Sequence, residues 1–314
     1  MLDSLHIQNY RLFKDLKIEK LGQVNLIAGK NNTGKTALLE AIRIYQNNFN
    51  SDIILNVLSL RETINFSKIF ELLTNLFNEI EHPIFINNKG LSVRKKENSN
   101  AVNIFRPTKD GRRTVTMETE SIDFANLSPH DETVFIPFNH NENLKLQTDF
   151  WEKIEFDNDK VSKVAEFLNI ISSKKIRKVS LNSGIPRIQF ENGEIEKLTM
   201  WGDGATRLLT IALALVNAKD KTLFIDEFEV GLHHSLQKQL WEIIFKYAKE
   251  WNIQVFVTTH SLDTIENFYY IALREENIGL GKYLVLNKHN DNVKVIDYDF
   301  SDIKLALETN LEIR

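Results

Sequence analysis

The stretch Gly29-Lys30-Asn31-Asn32-Thr33-Gly34-Lys35-Thr36 constrains this chain more than any other. It follows the apolar run Val24–Ala28 and precedes a run of helical spacing that opens at Ala37. Strand, glycine loop and helix thus come in the order, and with the G-x-x-x-x-G-K-T spacing, of a phosphate-binding loop. Gly29 and Gly34 let backbone N–H groups close around phosphate oxygens with no Cβ in the way. The helix N-terminus behind them adds the positive end of its dipole. Lys35 is placed to reach the β- and γ-phosphates, and the Thr36 hydroxyl to ligate Mg2+. Gly29, Lys30, Asn31, Asn32, Thr33, Gly34, Lys35, Thr36 and Ala37 are therefore read as a nucleoside triphosphate site.

The rest of the composition narrows the class. With 314 residues, 42% of them hydrophobic and 26% charged, the chain can bury a sizeable core and resembles a globular protein. A net charge of -4 supplies no global field toward nucleic acid, which leaves only a local basic groove for that purpose. The absence of cysteine excludes disulfides, thiolate metal sites and cysteine nucleophiles. The opening MLDSLHIQNYRLFKDL mixes charged and apolar residues, unlike a signal peptide. No apolar run approaches the roughly 18 residues that span a bilayer. The chain is read as cytoplasmic, with no membrane partner.

Periodicity suggests short strands at Leu5–Ile7 and Phe13–Ile18, a strand at Val24–Ala28 and a helix over Lys35–Gln46. Ser51–Ile80 carries apolar residues at mixed helical spacing. Leu91–Val93, Val102–Phe105 and Thr114–Met117 read as a small antiparallel sheet or meander, with Lys95–Asn103 as a loop. Thr133–Pro137 is a buried strand, Asp157–Ile171 an amphipathic helix and Arg187–Leu198 a hairpin about Glu191-Asn192-Gly193. The last third alternates helix and strand: Asp203–Asn217, Thr222–Ile225, Ser235–Glu250, Gln254–Val257, Leu262–Glu276, Tyr283–Leu286 and Val293–Ile296, then a terminal helix. That alternation predicts a mostly parallel sheet covered by helices.

Three further segments carry chemistry. Thr222-Leu223-Phe224-Ile225-Asp226-Glu227 delivers two carboxylates at the end of an apolar strand. In a nucleotide site Asp226 would hold Mg2+ and Glu227 would polarise the attacking water. Alone, such a pair is equally an acidic turn. Val255-Phe256-Val257-Thr258-Thr259-His260-Ser261 ends a β-branched strand in hydroxyls and one histidine, and His260 can contact the γ-phosphate or the water. Met200-Trp201-Gly202-Asp203-Gly204-Ala205-Thr206-Arg207 brackets an aspartate with glycines before an apolar helix, a second potential anion site or an ordinary capped turn.

The order of these segments decides their meaning. Lys35 and Asp226 stand roughly 190 residues apart, the Gly-Asp-Gly turn about 20 residues before the carboxylates and His260 about 30 after them. This layout resembles the ABC-type ATPase head of SMC, RecF and OLD (overcoming lysogenization defect) proteins. WGDGATRLLTIALAL, LFIDEFEVGLHHSLQKQLW, IQVFVTTHSLDTIENF, the opening LHIQNYRLFKDLKIEKLGQVNLIAGKNNTGKTALLEAI and the closing LETNLEIR are similar to bacterial OLD-like AAA/ABC ATPases. These segments cover about half the chain and both of its ends, so the chain is read as complete.

The resemblance implies an α/β ABC-type P-loop NTPase head: a mostly parallel sheet covered by helices, with an antiparallel β portion and a helical lobe. A single domain would comprise a nucleotide-binding core over 1–46 and 199–298, an inserted helical and β region over 47–132, a strand plus helical lobe over 133–198 and a C-terminal helix over 299–314. It implies ATP and Mg2+ as cofactors, Asp226 as the Walker B aspartate, Glu227 as catalytic base and His260 as the switch histidine. Gly202, Asp203 and Gly204 become the signature that touches the γ-phosphate held by a second protomer. Gly231, Leu232 and His233 fall in the loop along the dimer interface, and Arg11 lies near the nucleotide. Gly202 stands where the family's signature serine is usual, which implies slow or partner-stimulated hydrolysis. Asn139 and Gln147 are the candidates for the glutamine that follows a strand like Thr133–Pro137.

The partners implied are a second copy or a higher homo-oligomer and a separate effector protein, a nuclease among the candidates, in prokaryotic antiphage defence or genome maintenance. Asp297-Tyr298-Asp299 has a D-x-D spacing but reads as a strand-end turn. Two alternatives stay open. A RecF-like ATPase would bind DNA directly, through Lys95-Lys96, Arg112-Arg113 or Lys174-Lys175-Ile176-Arg177-Lys178. A nucleotide-binding scaffold would turn over little ATP.

Overall fold

The computed structural model describes residues 1–60, 73–76, 78, 82, 84–95, 101–108, 111–118, 131–138, 143–290 and 292–309. At 51, 92–95, 101–108, 111–118, 143–144 and 306–309 it describes the backbone alone. The strands are β1 (Leu5–Tyr10), β2 (Phe13–Ile18), β3 (Val24–Ala28), β4 (Ile84–Ile86), β5 (Lys89–Lys95), β6 (Ala101–Thr108), β7 (Gly111–Glu118), β8 (Thr133–Ile136), β9 (Ile176–Asn182), β10 (Ile185–Phe190), β11 (Ile195–Lys197), β12 (Thr222–Ile225), β13 (Gln254–Thr259), β14 (Gly281–His289) and β15 (Asn292–Tyr298). The helices are α1 (Lys35–Gln46), α2 (Ser51–Ser59), α3 (Asn143–Glu152), α4 (Asn158–Leu168), α5 (Asp203–Asn217), α6 (His234–Glu250), α7 (Leu262–Ala272) and α8 (Phe300–Thr309).

The central sheet has the order β15-β14-β3-β13-β12-β8. Its strands run parallel from β14 to β8, and β15 closes one edge antiparallel. Every residue of β3, β8, β12 and β13 is buried, as expected of strands covered on both faces. The pleat sorts their side chains between two cores. Leu26, Val255, Val257, Leu223 and Ile225 face the core built with α4, α5, α6 and α7. Ile27, Phe256, Phe224 and Phe135 face the core built with α1, α2, β1 and β2. That alternation aims the C-terminal ends of β3, β13 and β12 at one place, where open α/β sheets bind ligands.

A second sheet, β2-β1-β4-β5-β6-β7, is antiparallel throughout. The expected meander is present, but it extends the β1–β2 hairpin through β4, with Ile7 opposite Ile86. A three-stranded sheet, β11-β10-β9, holds the expected hairpin and a strand that the charge run Lys174–Lys178 had concealed. The register shift at Gln189/Phe190 breaks the two-residue period of that pairing. Helix α3 also escaped the sequence reading, because NLKLQTDFWE scatters polar residues through one short helix.

Several expected features lie outside the described residues: the apolar stretch beyond α2 for most of 61–80, the centre of the 95–103 loop, and 310–314. Among the described residues, no helix is long and apolar enough to cross a membrane. Asp297 of the D-x-D pair is engaged by Lys282 at 2.6 Å, and no acidic or histidine cluster suited to a metal occurs among the described residues.

Candidate functional site

The turn after β3 has the backbone its sequence requires. Gly29 adopts φ 155° and Gly34 φ 97°, both in the region that favours glycine. A Cβ on Gly29 would stand 2.7 Å from the Leu286 carbonyl and from the Thr33 hydroxyl. A Cβ on Gly34 would strike Leu12 and Phe13 of the β1–β2 turn at 2.9–3.0 Å. Lys30, Asn31 and Asn32 are exposed, whereas Thr33, Lys35 and Ala37 are buried. Lys35 curls over the loop, its Nζ donating to the Gly29 carbonyl at 2.8 Å and the Lys30 carbonyl at 3.1 Å. Burial lowers the Lys35 pKa, opposed by the charges of Glu227, Asp226 and Glu229. The ammonium therefore stands among three carboxylates from another strand end.

Sheet order explains that proximity. Strand β13 lies between β3 and β12 and links their ends. The Thr36 hydroxyl donates to Asp226 Oδ2 at 2.8 Å. The Thr258 hydroxyl donates to Asp226 Oδ1 at 2.5 Å and accepts from the Glu227 N–H at 2.8 Å. Two elements separated by 190 residues thus bring together a hydroxyl and a carboxylate, hard oxygen donors of the kind Mg2+ prefers. Thr36 and Asp226 fit that ion.

Glu227 turns away from the strand at φ 49°, a left-handed conformation uncommon for a residue that carries a Cβ. Its pKa is raised, first by burial and then by Asp226 and Glu229, with His260 and Lys35 pulling it down. A base must be ionised to work. Hydrolysis that depends on Glu227 should therefore fail on the acid side at a pH above the ordinary glutamate range, and recover as the pH rises. A pH profile of kcat checks this. An acid limb that survives in Glu227→Gln belongs to another group.

His260 follows β13 and lies beside Glu229. Glu229 Oε1 accepts from the His260 N–H at 2.8 Å and lies 2.9 Å from the ring Nδ1, while Oε2 accepts from the Thr259 hydroxyl at 2.8 Å. The sequence singled out neither Glu229 nor Thr258, since both act across the gap between two strands.

Arg207 was also missed. Its side chain is fully buried under the same loop. Nη1 donates to the Pro137 carbonyl at 3.2 Å, and Nη2 to the carbonyls of Asp226 at 2.9 Å and Glu227 at 3.4 Å. Burial pulls its pKa down to about 10. A guanidinium thus joins the ends of β8 and β12 from the helix that opens at Asp203. The available signal was one charged residue in the otherwise apolar run of that helix.

Other expected residues lie at the margin. The Arg11 side chain is 12% exposed and its Nε lies 2.9 Å from Glu40 Oε2 and 3.3 Å from the Tyr10 hydroxyl, so a buried carboxylate of α1 engages it. Its turn still abuts Gly34 through Leu12 and Phe13. Gln147 is buried and donates to the Thr206 carbonyl and the Thr210 hydroxyl, which commits it to packing of α3 on α5. Asn139 lies outside the described residues.

Gly202 and Asp203 are exposed at the start of α5, and Gly202, not Asp203, is the N-cap. A Cβ on Gly204 would stand 3.0 Å from the Gly231 carbonyl, so this turn meets the loop that carries Gly231 and Leu232. Gly202 adopts φ 85°, ψ -178°, a conformation that essentially only glycine occupies. The backbone at 202 therefore favours glycine over the serine that the family resemblance leads one to expect. Gly202→Ser should cost about 1–3 kcal/mol of strain. Thermal melting checks it, and an unchanged melting temperature would show that the turn relaxes.

Comparison with known proteins gives the fold and the family. The SMC head bound to the C-terminal winged-helix domain of ScpA superposes with a TM-score of 0.56 at 14% identity, over 96% of this chain and 99% of that one. An SMC head with an extended coiled coil, bound to a ScpA domain derived from Pyrococcus furiosus, gives 0.54 at 14% identity over 99% of both chains. These likenesses establish the fold. Over 93% of both chains the sequence is 24% identical to a Helicobacter pylori protein named ATP/GTP phosphatase. Residues 24–266 match the family described as "AAA domain, putative AbiEii toxin, Type IV TA system", a span that runs from β3 through His260. The chain belongs to this AAA-domain family and is an ATPase with the ABC-type head fold seen in SMC proteins.

Proposed function

We propose that this ATPase is a switch that closes head-to-tail around ATP with a second copy of itself and thereby controls a partner effector, in prokaryotic antiphage defence or genome maintenance. The observation that carries it is the Thr36–Asp226–Thr258–Glu227 network, assembled in one chain while Gly202 and Asp203 are exposed on a different element. The network supplies everything except a cap for the γ-phosphate. The turn offers backbone N–H groups at the start of a 15-residue helix, suited to an anion from another subunit.

In this reading Gly29 to Ala37 cradle the phosphates, and Lys35 leaves its loop carbonyls to meet the β- and γ-oxygens. Arg11 stands at the loop's edge. Thr36 and Asp226 would hold Mg2+, which when bound would neutralise charge developing on the phosphate oxygens. Glu227 takes a proton from the attacking water, and His260 faces the γ-phosphate. Gly202, Asp203 and Gly204 of the second copy complete the site. ATP favours the closed pair and hydrolysis releases it. The SMC heads that share this fold are bound to ScpA, a separate protein, which supports an effector outside the ATPase fold.

A composite site makes activity depend on protein concentration. Specific ATPase activity should rise with enzyme concentration and level off; a rate per chain that is constant down to nanomolar enzyme overturns the composite site. Direct DNA binding is the weaker reading. Lys174 and Lys175, just before β9, are paired with Glu194 at 2.5 Å and Glu191 at 2.7 Å in the β10–β11 turn. Those pairs cancel much of the charge that made this run attractive for phosphate. Lys96 lies outside the described residues, as do the side chains of Lys95, Arg112 and Arg113.

A further inference from the structure

Glu229 has no assigned part in hydrolysis, yet one carboxylate gathers the whole end of β13. Its two oxygens accept from the Thr259 hydroxyl and the His260 N–H, both at 2.8 Å, and Oε1 also stands 2.9 Å from His260 Nδ1. The Glu229 side chain is 12% exposed and that of His260 45%, so the buried partner anchors the open one. The anchor is itself held. The Phe228 N–H donates to the Thr258 carbonyl at 3.0 Å, and the Leu232 N–H to the Glu229 carbonyl at 3.0 Å. The Thr259 hydroxyl accepts in turn from the Ser261 N–H at 3.0 Å, where α7 begins.

We infer that Glu229 is a positioning residue that fixes the tautomer and orientation of His260. A carboxylate only accepts, so the tautomer that suits a ring nitrogen 2.9 Å away is the one with the proton on Nδ1. Nδ1–H then faces Glu229, and the Nε2 edge is left for the nucleotide. The Nδ1 contact is short but off the line of a good hydrogen bond. Such contacts tighten when the reacting complex forms. Because Glu229 lies two residues beyond Glu227, the same loop carries the base and orients the histidine. Movement of that loop repositions both groups together.

This inference rests on the proposed role of His260, and the test separates the two. Full-length wild type, Glu229→Ala, Glu229→Gln, His260→Ala and the Glu229→Ala/His260→Ala double variant are compared in steady-state ATP hydrolysis. Imidazole 15N shifts are recorded for wild type and Glu229→Gln, with His260 assigned by its loss in His260→Ala. The expected result is a fall in kcat of about 10- to 100-fold for each Glu229 variant, with KM nearly unchanged. The double variant should be no slower than His260→Ala, because the two residues act as one unit. The wild-type ring should show Nδ1 protonated, and Glu229→Gln should shift it toward the other tautomer. If His260→Ala lowers kcat but the Glu229 variants stay near wild type, or the two losses multiply, Glu229 does not position the histidine and the role of His260 stands. If His260→Ala hydrolyses ATP at the wild-type rate, the role of His260 fails and the inference with it.

Discussion

Replacing Glu227 by glutamine is expected to lower kcat by about 10²- to 10⁴-fold, the usual contribution of a positioned general base. ATP affinity should change little. The Glu227 backbone N–H is held by Thr258, and its carboxyl is half-buried beside Asp226. Glutamine keeps the size and removes a charge that burial already disfavours, so the fold should tolerate it. The left-handed backbone at 227 is unaffected, since both residues carry the same Cβ constraint. Single-turnover hydrolysis and a fluorescent-nucleotide titration measure the two halves of the prediction. Near-normal kcat would move the base to another group. Weakened ATP binding of the same size as the lost rate would make Glu227 a binding residue.

The second large effect is structural. Arg207→Met should leave the carbonyls of Pro137 and Asp226 without their guanidinium donors beneath the catalytic loop. Each buried acceptor so stranded costs about 1–3 kcal/mol. Melting temperature falls by about 1.5 °C per kcal/mol for a chain of 314 residues, at about 2.1 cal/mol/K of unfolding entropy per residue, so a loss of a few degrees is expected. Arg207→Lys keeps a charge but not the fork that spans two strands, and should recover only part. Both variants should also slow hydrolysis, because the same nitrogen that reaches Asp226 reaches Glu227. A melting temperature equal to wild type in Arg207→Met would show that water or another group replaces the guanidinium.

The parts of this molecule legible from sequence are those written in a few consecutive residues. Gly29–Thr36 announces its strand, turn and helix because glycine and lysine positions are fixed by backbone geometry, and α1 begins at Lys35 as expected. Asp226 and Glu227 were legible because an apolar strand of four buried residues ends there. The parallel core followed from alternating elements. What was hidden depends on strand order. Nothing local says that β13 inserts between β3 and β12, so Thr258 could not be seen to bridge Asp226 and Glu227, nor Glu229 to hold His260. Arg207 was quoted in its motif and passed over, because its partners are backbone carbonyls of other strands. Gly202 was read as a lost serine, although its backbone conformation requires glycine.

The proposed switch requires ATP to close two copies around composite sites. Sedimentation or light-scattering mass of Glu227→Gln, with and without ATP and Mg2+, tests it most directly. Monomer is expected without nucleotide and a stable dimer with ATP, reversed by adding Gly202→Asp to break the capping turn. A monomeric mass with ATP demonstrably bound, at micromolar protein and above, would contradict it.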